Sequence, residues 1–168
     1  YIERISGAKL PIAGDDTIPA GTLILVGRSK LTVKYDKTIP SGLTNDYDEE
    51  GYAIFTDGDR LVLAGNDAQP YHGTEYAVSF FLHRLGVRWY MPGDYGEVVP
   101  KKTTITVGAI NEVSRPDFKI RNWWETIAPD LYPLVVRWKS HNGMNPTSTI
   151  ALPGDSTLRA LLPPESEK

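Results

Sequence analysis

The chain has no cysteine, which removes disulfide frameworks and thiolate metal sites from consideration. That absence fits a reducing cytoplasm, and equally an exported protein that uses no disulfides. An excess of one charge is missing too. Eighteen Lys and Arg stand against 21 Asp and Glu, a formal net charge of −3 with no basic stripe, so no nucleic-acid partner is expected. No apolar run approaches the roughly 20 residues of a spanning helix, so no membrane span is expected. There is no Gly-x-Ser-x-Gly nucleophile turn and no phosphate loop. The pairs Gly7/Gly14 and Gly93/Gly96 lack the spacing of a dinucleotide site. No two carboxylates form a pair whose spacing marks an acid and a base. We therefore expect no catalytic residue, no metal and no cofactor in this chain. It begins at Tyr1 rather than methionine, which reads as a processed or excised piece with any export signal out of view.

What is present centres on Tyr71 to Pro100. Ala77, Val78, Phe81, Leu82 and Leu85 recur at three- and four-residue steps and predict one apolar helix face. Glu75, Ser79 and His83 share another side, expected to be wet. Gly86 supplies a left-handed cap, and Arg84 suits the negative end of the helix dipole. Val87 to Tyr90 returns as a strand that Pro92-Gly93 ends.

Upstream, Ile2, Ile5, Leu10 and Ile12 suggest an edge strand. Thr22 to Val26 is a short apolar run expected to be buried on both faces. Lys30 to Tyr35 is a short strand or the start of a loop, and Thr38 to Glu50 is a polar loop. Tyr52 to Phe55 and Leu61 to Ala64 flank Asp57-Gly58 as a hairpin. Asp67 is a candidate N-cap of the helix, with Pro70 in or near its first turn. Thr103 to Val107 alternates β-branched residues as a strand. Together these give an α+β class: a mixed sheet with helix on one face, over residues 1–113. From Arg115-Pro116 the pattern restarts, with a strand at Phe118 to Trp123. A helix follows, capped by Asp130 and carrying Leu131, Leu134, Val135 and Trp138 as its stripe; Asn142-Gly143 ends it. One strand and one helix bury no core alone, so residues 114–168 read as the start of a larger βα fold.

Two clusters invite metal readings. Asp46, Asp48, Glu50, Gly51 and Asp57 echo a calcium loop. Position five is Glu, position twelve is Asp, and a strand follows, so a solvated loop is the better reading. His72, Glu75 and His83 lack the four-residue histidine spacing of a zinc-protease helix. The aromatics are the remaining signal. Sugar faces stack on such rings, while large aromatics mostly fill interiors, and Trp89 and Trp138 are expected in the core. Trp123 and Trp124 are adjacent on the expected strand and point to opposite faces, so at least one is free to meet a site or a neighbouring domain. Arg121 shares a face with Trp123 and carries a fork of donors suited to hydroxyl or carboxylate oxygens; a salt bridge is an equal alternative.

Several motifs taken together resemble a known accessory domain. They are Gly51-Tyr52; Asp57-Gly58 with a strand to Gly65; Gly73-Thr74-x-Tyr76-Ala77; Phe81-Leu82-x-x-Leu85-Gly86-Val87-Arg88-Trp89-Tyr90-x-Pro92-Gly93; and Gly96-Glu97-Val98-Val99-Pro100. The domain is the N-terminal one of family 67 α-glucuronidases, family 20 β-N-acetylhexosaminidases and related bacterial proteins, where it precedes a catalytic TIM barrel. Arg115-Pro116-x-Phe118-x-x-Arg121 resembles the start of the first barrel strand. The similarity spans about residues 20 to 125. It implies a zincin-like arrangement without metal, and a non-catalytic domain of a glycoside hydrolase acting outside the cytoplasm, in the periplasm or extracellularly. The implied partners are the chain's own following barrel and the carbohydrate substrate of the whole protein. Arg121 matches the arginine that holds the terminal sugar in the hexosaminidases, although Asn122 stands where glycine is usual. Arg121, Trp123 and Trp124 are accordingly the expected substrate-binding residues. The rival expectation is a self-standing carbohydrate-binding module with exposed tryptophans.

Overall fold

The computed structural model describes residues 1–43, 49–118, 121–122 and 128–145. The elements are α1 (Ile2–Ser6), β1 (Leu23–Val26), β2 (Tyr52–Asp57), β3 (Arg60–Gly65), α2 (Gly73–Leu85), β4 (Arg88–Trp89), β5 (Glu97–Val98), β6 (Asn111–Ser114) and α3 (Tyr132–His141). Four strands form a mixed sheet in the order β1-β3-β2-β6, with β1 parallel to β3 and the other pairs antiparallel. β4 and β5 make a separate two-stranded ribbon. The class is α+β, as the sequence pattern indicates.

The central hairpin has residues buried on both sides, and strand alternation sorts its apolar residues into two cores. Ile54, Leu61 and Leu63 face α2 and meet Ala77, Phe81, Leu82 and Leu85. Ala53, Phe55, Val62 and Ala64 face the other way and are covered by Leu25, Ile39, Leu31 and Tyr35. Asp57 pairs with Arg60, so the two-residue turn is Gly58-Asp59 rather than Asp57-Gly58. Gly58 takes φ +60°, which its missing Cβ permits.

The helix α2 ends at Gly86, in the left-handed region at φ 103°, with its N–H on the His83 carbonyl. Its start lies six residues beyond Asp67, yet Asp67 still serves it. The Asp67 carboxylate accepts from Thr74 N at 2.9 Å and from Thr74 Oγ1 at 2.6 Å. Pro70 precedes the helix instead of entering its first turn. Replacing Asp67 with alanine is expected to lower stability by about 1 kcal/mol, as for an ordinary N-cap. The shift of the urea midpoint at constant m-value checks it.

Several local expectations are corrected or narrowed. Residues 2–6 form a helix, not an edge strand: Ile2 and Ile5, three apart, both turn to the main core and Gly7 closes the turn at φ 80°. β1 is an edge strand with only Leu25 buried; Ile24 and Val26 share the face of their partners Leu61 and Leu63, but α2 does not reach over them and they are exposed. Residues 33–35 make a 3-10 turn. Residues 103–107 are not a strand; the edge beside β2 is taken by Asn111–Ser114, guided there by Ile110, whose N–H and C=O both meet Thr56. The side of α2 expected to be wet is so only at Glu75, which is exposed; Ser79 is 1% exposed and His83 is half-buried, because α3 packs beside them. α3 is capped at Leu131 without a side-chain bond, so Asp130 is not its cap. Only Val135 of its stripe is fully buried, with Trp138 half-buried and Leu131 and Leu134 exposed.

Candidate functional site

The main gathering of polar groups lies where α2, the loop before β2 and the chain after β6 converge. Glu50 is 1% exposed. The sheet's return places it there: Gly51, one residue on, sits too close to the Ser114 carbonyl for any side chain. The Glu50 carboxylate accepts from Arg121 Nη2, from His72 N at 3.3 Å and from the Tyr76 hydroxyl at 3.4 Å. Arg121 donates further from Nε to the Gly143 carbonyl at 2.9 Å and from Nη1 to the Phe118 carbonyl at 2.8 Å. Its backbone meets Asn145 twice: Arg121 N donates to Asn145 Oδ1 at 2.7 Å, and Asn145 N to Arg121 O at 3.1 Å. The one proton of the Tyr76 hydroxyl has the Met144 carbonyl at 2.9 Å as its nearer acceptor, so the 3.4 Å approach to Glu50 is the weaker branch. Burial, then the Glu50 charge, pushes the Tyr76 phenol well above its ordinary range, so it stays a donor. A buried ion pair therefore binds the sheet, α2, Arg121 and the end of α3 in one network. A cleft of about 200 Å³ opens beside it, lined by Tyr52, Phe80, Phe118 and Arg121 among others. Tyr52 and Phe80 stack there at 5.1 Å.

A second seam joins α2, β4, β5 and α3 around Trp89, which is 6% exposed. Trp138 Nε1 donates to the Trp89 carbonyl at 2.8 Å, and Asn142 Nδ2 to the same oxygen at 3.2 Å. Glu97 accepts from Arg4 at 2.9 Å, from Trp89 Nε1 at 3.2 Å and from the Tyr1 hydroxyl. Burial alone would raise the Glu97 carboxyl, but the bonds from Tyr1 and Arg4 pull it below the usual range.

Comparison with protein-family models, curated proteins and solved structures returned no match. The site is therefore read from its own geometry.

Of the expected binding residues, Arg121 is placed in the network above, while Trp123 and Trp124 lie outside the described residues. So do Asp46 and Asp48. The remaining members of the acidic cluster part company. Glu50 holds Arg121, and Asp57 takes Lys34 Nζ at 2.8 Å and the Tyr35 hydroxyl at 2.5 Å. His72 Nδ1 faces Glu75 at 3.6 Å, and His83 lies instead against Trp89. Among the described residues no three His, Asp or Glu converge on one point as a metal would need. None of the described helices is long and apolar enough to cross a membrane. Sequence reasoning singled out Glu50 only as a calcium-loop position and missed its partnership with Arg121. The two stand 71 residues apart, and no periodicity links them.

Proposed function

We propose that the chain is the N-terminal, non-catalytic α+β domain of a glycoside hydrolase working in the periplasm or outside the cell. In this reading it leads directly into a TIM barrel and fastens the barrel's first strand and helix. The whole protein would cleave glycosidic bonds with paired carboxylates or with assistance from the substrate. The observation that carries the reading is the Glu50–Arg121 pair. A buried carboxylate of the sheet body holds an arginine of the following segment, and that arginine spends donors on two backbone carbonyls as well. Such a forked, immobilised guanidinium is suited to fixing chain geometry. Support also comes from the motifs between residues 20 and 125, and from Trp89 being core rather than surface.

The test is a titration of the chain with chitin, xylan and uronic-acid oligosaccharides, following tryptophan fluorescence and released reducing ends. The expected result is no hydrolysis and no saturable fluorescence change. Saturable binding lost in Trp123→Ala or Trp124→Ala would instead establish a self-standing binding module. Loss in an Arg121 variant that keeps its fold would return Arg121 to the sugar.

A further inference from the structure

The Trp89 seam carries two histidines that the ion-pair network does not use. His141, at the end of α3, stacks on the Trp89 indole with centroids 4.1 Å apart and planes 20° from parallel. Its Nδ1 lies 3.2 Å from Ser79 Oγ. His83, from α2, lies against the same indole at 5.3 Å and meets Phe80 edge-on at 5.6 Å. His83 Nε2 is buried without a hydrogen-bond partner among the described residues. A proton added there would create a buried donor with no acceptor, the costly case.

The charges around the pair give little help to an imidazolium. Arg88 of β4 donates to the His83 carbonyl at 2.6 Å. Arg137 of α3, and Arg4 of α1, line the same hollow as His141. Asp94 and Glu97 line it too, but Glu97 already serves Arg4, Tyr1 and Trp89. On the outer side of α2, Arg84 is held by Glu112 of β6. One imidazolium over an indole gains a cation–π attraction. Two that share one ring also repel each other and the flanking arginines. Burial first, then Arg88, holds His83 below its ordinary value. Burial first, then Arg137, does the same for His141 against the pull of Glu97.

We propose that His83, Trp89 and His141 form an acid-operated latch: neutral imidazoles hold α3 against α2 and β4, and their protonation releases α3. The sign follows from linkage. A released His141 returns toward its ordinary value of about 6.5, while His83 keeps Arg88 beside it and regains only what the cover of α3 took away; docked, both lie lower. The docked state is therefore fully favoured above pH 6.5 and loses stability as pH falls from there through the docked values. For a protein meeting acid outside the cytoplasm, the segment after β6 would loosen while the hairpin and α2 stay folded.

Amide exchange and imidazole resonances of the full chain, followed by NMR from pH 8 to 5, test this. After correction for intrinsic exchange, α3 protection is expected to fall at least tenfold, in step with both imidazoles titrating below 6.5, while β2 and β3 hold theirs. His141→Phe keeps a ring on Trp89 but cannot titrate, and His83→Phe likewise; with both changes α3 protection is expected to be flat across the range. Protection that is already flat in the unmodified chain overturns the latch, as does a pH dependence that survives in the folded double variant. If that variant does not fold, the unmodified chain decides: imidazoles titrating at or above 6.5 refute the proposal.

Discussion

Arg121→Met is expected to lower the stability of the docked chain by about 3–5 kcal/mol, because it strands Glu50 as a buried charge without a partner. Glu50 is almost wholly enclosed, and among the described residues the other donors that meet it include one backbone N–H and a phenol at 3.3 and 3.4 Å. Neither neutral donor replaces a guanidinium. The loss is large beside the 5–15 kcal/mol that a domain of this kind commonly has. Glu50→Leu combined with Arg121→Met is expected to recover most of it, since an apolar pair of similar volume carries no desolvation cost. Urea unfolding followed by near-ultraviolet circular dichroism reads the cycle, because Trp89 and Trp138 sit at the α3 seam and sense its docking. A double variant as unstable as the single one would mean that Arg121 acts by packing rather than by charge.

Gly73→Ala is expected to cost about 3 kcal/mol or more, the upper end of overpacking effects. A Cβ on Gly73 would fall under 3.0 Å from Asn66 N, Asn66 O and Gly51 O, all backbone atoms of the β2 and β3 ends. Rotamer changes cannot clear main-chain atoms, so the first turn of α2 would have to lift. That lift breaks Gly73 N to Asn66 O at 2.9 Å and Gly65 N to Thr74 Oγ1 at 3.1 Å. Gly65 faces Gly73 across the same gap and is expected to behave alike. Gly14, where an added Cβ meets nothing within 4 Å and φ is not positive, is the control. There alanine is expected to be neutral or to stabilise by about 0.4–1 kcal/mol through the unfolded chain. Thermal melts of the three variants separate the cases.

The contrast between these glycines shows where the sequence was readable. The hairpin, the apolar face of α2 and its Gly86 stop all obey local rules, and they stand where the pattern placed them. The motif glycines Gly51 and Gly73 were visible as letters, but their reason was not. It is the close approach of main-chain segments that no local pattern links: Gly73 against Gly51 and Asn66, and Gly51 against Ser114. Residues 103–107 have the alternation of a strand and still make none, because a strand needs an edge and β6 holds it. β6 itself, Asn-Glu-Val-Ser, is half polar and carries no strand signal, as suits an exposed border. Ser79 and His83 looked solvent-facing because helical periodicity cannot know that a second helix covers the far side. The ion pair was the least legible feature: Glu50 looked like a loop acid and Arg121 like a sugar ligand until the fold brought them together.

The central claim is that Glu50 and Arg121 fasten the segment after β6 to the α+β body. Hydrogen exchange by mass spectrometry at pH 7.5, on the unmodified chain and on Arg121→Met, tests it most directly. The expected result is protection of α3 and of residues 142–145 in the unmodified chain, lost in the variant while β2, β3 and α2 keep theirs. Equal protection of α3 in both proteins, or none in either, would contradict it.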